Sequence, residues 1–193
     1  MTGVQTCALP ICEPRPDWLK AEIEFVKGAH DRRLPVIGVC LGHQIIAAAL
    51  GGTVEKMDQP EVGFFDINIL PDGQTDNVLA GIAWTFPAFQ AHADQVTALP
   101  ADAVHLAGSQ RCKIQAFRAG LRTYAFQHHF EADRSIIDDL IRANPEDLHR
   151  AGFTEQEIAQ QVEQKYDTFA RLSDRLCVNL ATLVAMVGRK HVI

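Results

Sequence analysis

No apolar run in this chain approaches the ~20 residues that a membrane helix requires, so no membrane is expected as a partner. Positive charge is not in excess either. The formal net charge is −6, and a nucleic-acid footprint needs a basic face, so no nucleic acid is expected. No Cys-x-x-Cys spacing occurs, and the five cysteines (Cys7, Cys12, Cys40, Cys112 and Cys177) are odd in number. That disfavours a disulfide framework and a cysteine-rich metal site, and points to reduced thiols in a cytoplasmic setting. The start lacks the charged and apolar stretches of a secretory signal, and there is no glycine-rich phosphate loop. Long polar tracts are missing as well. With 47% hydrophobic and 22% charged residues among 193, the composition is that of a folded chain able to bury one substantial core.

What is present divides into three stretches. Residues 1–12 read as non-native, because Gly3 to Pro10 resembles a translated sequencing adapter; Cys7 and Cys12 then carry no function. Residues 13–135 are expected to form the main domain. A helix is expected from Asp17, as N-cap, to about Ala29, with Leu19, Ile23 and Val26 on one face. Leu34 to Val39 is a continuous apolar run that suits a strand buried on both faces of a parallel sheet. Cys40 stands at its end, and His43 to Leu50 reads as a helix stopped by Gly51-Gly52. Further strands are expected at Gly63–Leu70, Gln95–Leu99 and Val104–Ala107, followed by a hairpin of Ile114–Arg118 and Thr123–Phe126 around Ala119-Gly120. Residues 136–193 are expected to be a helical extension packed on the same domain. There Thr154 and Glu157 form a capping box, with Phe153 and Ile158 as a hydrophobic staple. Ile158, Val162, Phe169, Leu172, Leu176, Leu180 and Leu183 make one apolar stripe, which packs on the domain body or else on a second copy in a homodimer.

The sharpest local pattern is Gly38-Val39-Cys40-Leu41-Gly42-His43-Gln44. A nucleophile between a buried strand and a helix, with glycine two places before and two after, follows the logic of a nucleophile elbow. The turn is tight enough that side chains at the flanking positions would collide, so both glycines are expected to be needed. The elbow lifts the sulfur over the carboxyl edge of the sheet, at a helix N-terminus whose dipole favours thiolate. It also aims the Leu41 N–H at a developing oxyanion. A thiol needs a base, and the base an orienting group. Phe126-Gln127-His128-His129-Phe130-Glu131 offers both: in extended register His129 and Glu131 share a face and His128 takes the other, as a packing residue. His43 is expected at the rim, and His30, His105, His149 and His191 at the surface.

Gly-x-Cys-x-Gly-x-Gln followed downstream by Gln-x-His-x-Glu resembles the class I glutamine amidotransferase family, most of all its stand-alone GMP-synthase-like members. The likeness covers roughly residues 16 to 133 and includes Phe89-Gln90-Ala91-His92-Ala93-Asp94. It implies an α/β fold: a three-layer, flavodoxin-like arrangement around a mostly parallel sheet. Cys40 is then the nucleophile, His129 the base and then acid, and Glu131 its orienter. Leu41 supplies an oxyanion N–H, and Gln44 with the backbone at Ala91 and His92 holds the glutamine. The implied reaction releases ammonia through a glutamyl thioester, with no metal or cofactor, and a separate synthetase chain would accept the ammonia. Two departures stand out. Phe130 replaces the proline usual before the glutamate, and His128 replaces a phenylalanine. The resemblance also implies earlier strands and a glycine-rich oxyanion loop where the adapter-like segment stands, so a shortened front end is expected. Two other readings share these residues: a γ-glutamyl amide hydrolase with the same triad, and a non-enzymatic regulatory relative that keeps the fold.

Overall fold

The computed structural model describes residues 16–188; residues 1–12, Cys7, Cys12 and His191 lie outside them. The elements run α1 (Asp17–Asp31), β1 (Val36–Val39), α2 (Leu41–Ala49), β2 (Thr53–Ile69), α3 (Pro71–Gln74), a 3-10 turn (Asn77–Leu79), β3 (Thr85–Ala98), β4 (Ala103–Gly108), β5 (Ala116–Ala119), β6 (Thr123–Phe126), α4 (Arg134–Ala143), α5 (Pro145–Ala151) and α6 (Glu155–Gly188). The six described strands form one sheet in the order β1-β6-β5-β4-β2-β3. Its parallel character rests on the β1–β6 pair, where Val39 lies opposite Phe126. The other described pairings are antiparallel, so the sheet is mixed where a mostly parallel one was expected. For β4–β5 and β5–β6 the cause is local, since short connections join them and a short connection can only return the chain antiparallel.

Alternation along the central strands sorts side chains into two layers. On β5 and β6, Phe117 and Ala125 face α1 and α2, packing with Leu19, Val26, Ile45 and Ile46. Their neighbours Ala116, Tyr124 and Phe126 face the other way, onto Leu172, Leu176 and Leu180 of α6. The first half of α6 covers the β2–β3 hairpin instead: Ile158, Val162 and Phe169 pack with Phe64 and Phe89 and with Ile137 and Leu140 of α4. The helix–sheet–helix layering of an α/β fold, with a C-terminal helix across one face, is therefore complete within one chain. Each fully buried leucine or phenylalanine on the stripe contributes roughly 1.5–3 kcal/mol of burial. At the start of α6 the capping box forms: Thr154 N–H donates to Glu157 Oε2 (2.7 Å) and Glu157 N–H to Thr154 Oγ1 (3.3 Å).

Several sequence expectations shift. Asp17 is the first helical residue of α1; Pro16 holds the N-cap, with no side-chain hydrogen bond. The strand expected from Leu34 starts at Val36, because Pro35 has no N–H to give and the Val36 N–H bonds Arg122 O, just before β6, at 3.0 Å. β2 and β3 are far longer than the segments read from the sequence, and α4 and α5, which fall almost wholly in the stretch expected to be helical, were not resolved there as separate helices.

Candidate active site

β1 ends at Val39, and the chain turns into α2 within one residue. That residue is Cys40, with φ 51° and ψ −103°. A non-glycine side chain in this region costs about 1–3 kcal/mol and is tolerated where the surroundings over-determine it. Here they do. Cys40 N–H bonds to Phe126 O on β6 at 2.8 Å, and Cys40 O accepts from Gln44 N at 3.3 Å. A Cβ on Gly38 would lie 2.5 Å from both the carbonyl carbon and oxygen of Gly42, and 2.6 Å from Ile46 Cδ1. Only glycine fits there. Gly42 differs from the expectation: a Cβ added to it meets nothing within 4 Å. The close approach is one-sided, the Gly38 side chain position facing the Gly42 backbone. Cys40 itself is buried, with 2% exposure. Leu41 opens α2 directly behind it, so its N–H belongs to the first turn, where helix N–H groups have no partner within the helix.

The other end of the site is built differently from its reading as a strand. β6 ends at Phe126, and 127–131 run through bends and turns, with Phe130 N–H bonding His128 O (3.2 Å) and Ala132 N–H bonding His129 O (3.3 Å). Extended alternation therefore does not put His129 beside Glu131. The turn does, with His129 Nδ1 and Glu131 Oε1 at 2.7 Å. That contact fixes the ring's orientation, the arrangement a base with an orienting carboxylate would have. His129 is anchored from outside by its N–H to Phe89 O on β3 (2.9 Å). Its ring is nearly buried while the Glu131 side chain is 44% exposed.

The neighbouring histidines are held differently. His128 packs edge-on to Phe86, Phe126 and Phe130. Burial, then the charge of His129, pushes its pKa down to about 3. His43 is not at the rim. It is fully buried against the Phe117 ring, and burial, then the charge of His92, pushes it down to about 3 as well. Both stay neutral at ordinary pH. His105 is no free surface residue either: its Nε2 donates to the carbonyls of Ala107 (3.1 Å) and Lys113 (2.8 Å).

The residues expected to hold substrate sit behind the elbow. Gln44 is 4% exposed, and its amide nitrogen donates to Asp94 O (3.0 Å) and Gln127 Oε1 (3.2 Å). Its side chain thus joins three segments of the protein. Ala91 and His92 lie on β3 opposite Val62 and Glu61 of β2. His92 is buried, with Nε2 3.0 Å from Glu61 Oε2 and Nδ1 2.9 Å from Asp94 O. Glu61 and Gln115 were missed by the sequence reading, and Asp94 and Gln127 were quoted within motifs but given no role. One signal was available: Gln90, His92 and Asp94 recur at every second position in a stretch without turn residues, which puts three polar groups on one face of a strand. Neither a groove of about 890 Å³ lined by His30, Arg33 and Thr123 nor one of about 670 Å³ lined by Asp76, Arg118 and Tyr124 includes Cys40, His129 or Glu131 in its lining.

A model of the family described as glutamine amidotransferase class-I matches residues 12–144. Among curated proteins, a glutamine-hydrolyzing GMP synthase subunit from Sulfolobus acidocaldarius is 40% identical over 93 residues, covering 48% of this chain and 46% of that protein. Its counterpart from Methanosarcina acetivorans is 33% identical over 112 residues, covering 58% of each. The chain thus spans about half the length of the curated relatives it matches. Among solved structures, a glutamine amido transferase from Methylobacillus flagellatus superposes with a TM-score of 0.76 at 24% identity, covering 89% of this chain and 72% of that one. A glutamine amidotransferase from Thermotoga maritima gives 0.73 at 23%, covering 86% and 70%. At these identities the likeness to the two structures is one of fold.

Proposed function

The chain belongs to the class I glutamine amidotransferase family, and from that premise we propose that Cys40 is the nucleophile of a glutamine-amide hydrolysing site in which His129 and Glu131 are its base and orienter. The observation that carries this reading is the junction at Phe126. Its carbonyl pins the Cys40 N–H at 2.8 Å, and three residues further along the same segment stands the imidazole that Glu131 holds at 2.7 Å. A strained cysteine at a helix start and an oriented histidine thus issue from the paired ends of β1 and β6.

The chemistry follows from these groups. His129 Nε2 takes the thiol proton, and the sulfur attacks the side-chain carbonyl carbon of glutamine. The tetrahedral oxyanion lies toward the Leu41 N–H. On collapse the C–N bond breaks, and the imidazolium gives its proton to the leaving nitrogen, which departs as ammonia and leaves a glutamyl thioester. Water, deprotonated by the same imidazole, then attacks the thioester to release glutamate and restore the thiol. Ala91, His92 and Gln44 shape the pocket for the rest of the substrate. The relatives are named as one subunit of a glutamine-hydrolyzing GMP synthase, which supports a separate synthetase chain as the ammonia acceptor.

The test is release of ammonia and glutamate from free glutamine, measured with and without a series of γ-glutamyl conjugates as competitors. Equimolar ammonia and glutamate, lost in Cys40→Ala, is the expected result. Turnover of conjugates in preference to glutamine would instead make the chain a γ-glutamyl amide hydrolase, and no turnover of either would sink the enzymatic reading.

A further inference from the structure

Behind the pocket residue His92, itself 3% exposed, lies a set of polar side chains that the chemistry above leaves unused: Glu61, Gln90 and Gln115 are fully buried. A buried carboxylate is tolerated only when its oxygens are satisfied. Glu61 meets that condition with three partners, two of them donors. Ser109 Oγ reaches Oε1 at 2.8 Å, while Gln115 Nε2 (2.7 Å) and His92 Nε2 (3.0 Å) reach Oε2. The other ring nitrogen of His92 faces the Asp94 carbonyl at 2.9 Å. A carbonyl only accepts, so Nδ1 carries a hydrogen, and a single further proton closes the line between Nε2 and Oε2.

A metal ion is the alternative way to close that line, because Glu61, His92 and Cys112 offer ligand atoms all within 4.8 Å of one another. Cys112 argues against it. Its thiol is already engaged with Ile114 O at 3.6 Å, and the Glu61 oxygens are already taken up by Ser109 and Gln115. The site is built for hydrogen bonds.

The network continues toward the elbow. The Asp94 carbonyl that takes the His92 N–H also takes the Gln44 amide at 3.0 Å, and that same amide reaches Gln127 Oε1 at 3.2 Å, two residues before His129. Gln44 itself lies one helical turn after Cys40. A carboxylate on β2 is therefore tied through β3 to the first turn of α2 and to the segment that carries the base. We propose that Glu61 is a positioning residue for the pocket beside Cys40: its carboxylate fixes His92, and His92 fixes the Ala91–Asp94 backbone and Gln44 in the shape that receives the substrate. What the pocket receives rests on the glutamine-amide reading; the positioning itself does not.

The test compares Glu61→Ala and Glu61→Gln in the full chain by two readouts. In Glu61→Ala, amide hydrogen exchange is expected to rise about tenfold or more at Ala91–Asp94 and the first turn of α2 while α6 exchanges as in the wild type. KM for glutamine is expected to rise about tenfold with kcat within about threefold, the mark of lost binding geometry. Glu61→Gln, whose amide still reaches His92, should recover most of both. Should Glu61→Ala fail to fold, Glu61→Asp, which withdraws the charge by one methylene, is expected to show the same local pattern at about threefold. Unchanged exchange at Ala91–Asp94, an equal rise in α6, or a fall in kcat with KM constant would each overturn the proposal. So would a stoichiometric metal in the wild type that is lost in Glu61→Gln. A wild type that releases no ammonia would defeat the glutamine reading, and the exchange pattern would still decide the role of Glu61.

Discussion

Cys40 and His129 issue from the ends of neighbouring strands, yet they are held by different means. Cys40 is fixed from within its own segment. A four-residue strand, a glycine with 2.5 Å of clearance and a helix that starts at the next residue leave its backbone one conformation. His129 is fixed from outside. β6 has already ended, its N–H hangs on Phe89 of β3, and its ring is turned by a carboxylate that is 44% exposed. The proposed nucleophile is therefore a local device and the proposed base a tertiary one. Damage to the first should act through the backbone, and damage to the second through orientation.

The largest effect is expected at the sulfur. Cys40→Ala should lower ammonia release by about 10⁴-fold or more, measured by coupled glutamate assay, since a nucleophile has no substitute. His129→Gln should lose about 10²- to 10⁴-fold in kcat, as removal of a general base does. Glu131→Gln should lose less, about 10- to 100-fold, because the exposed partner only turns the ring. An equal loss for Glu131 and His129 would break the distinction between reacting and orienting groups.

The elbow is sharpened by two glycine variants read in thermal denaturation. Gly38→Ala forces a methyl onto the Gly42 backbone and should destabilise by about 1–3 kcal/mol or more. Gly42→Ala meets nothing and lies in a helix, so it should be neutral or stabilising by up to ~1 kcal/mol. If the two cost the same, the one-sided close approach is wrong.

How legible each half was follows from the same contrast. The elbow could be read from a handful of adjacent residues because its determinants are adjacent: Gly38 makes room and Cys40 turns. The pairing of His129 with Glu131 was read from alternation, but a turn produces it, since the bond that anchors His129 beyond β6 comes from Phe89, distant in sequence. β2 was read only from Gly63, because Thr53 to Gln59 is mostly charged or polar and exposed, and hides the strand. β3 was read only from Gln95, because its inward positions hold Gln90, His92 and Asp94 where an apolar pattern was sought. The α6 stripe was plain because one sheet face covers nearly all of it.

The smallest effect is one of pH. His43 and His128 sit at about 3 against an ordinary 6.5. The unfolded chain takes up these protons as the pH falls below 6.5, while the folded chain resists until about 3. Their neutral burial thus favours folding fully above that window and less and less as pH falls through it. His128→Phe, placed among Phe86, Phe126 and Phe130, should fold at least as well and show a shallower loss of stability between pH 6.5 and 3, followed by urea denaturation. An unchanged acid limb would mean that His128 takes up its proton in the fold.

Intact-mass analysis after treatment with a glutamine-like chloroketone tests the central claim most directly, with Cys40→Ala alongside. A single adduct on the wild type that disappears in Cys40→Ala is the predicted result, showing a reactive sulfur in a pocket that recognises glutamine. An adduct that persists in the variant, or none on a folded wild type, would contradict Cys40 as the nucleophile of a glutamine site.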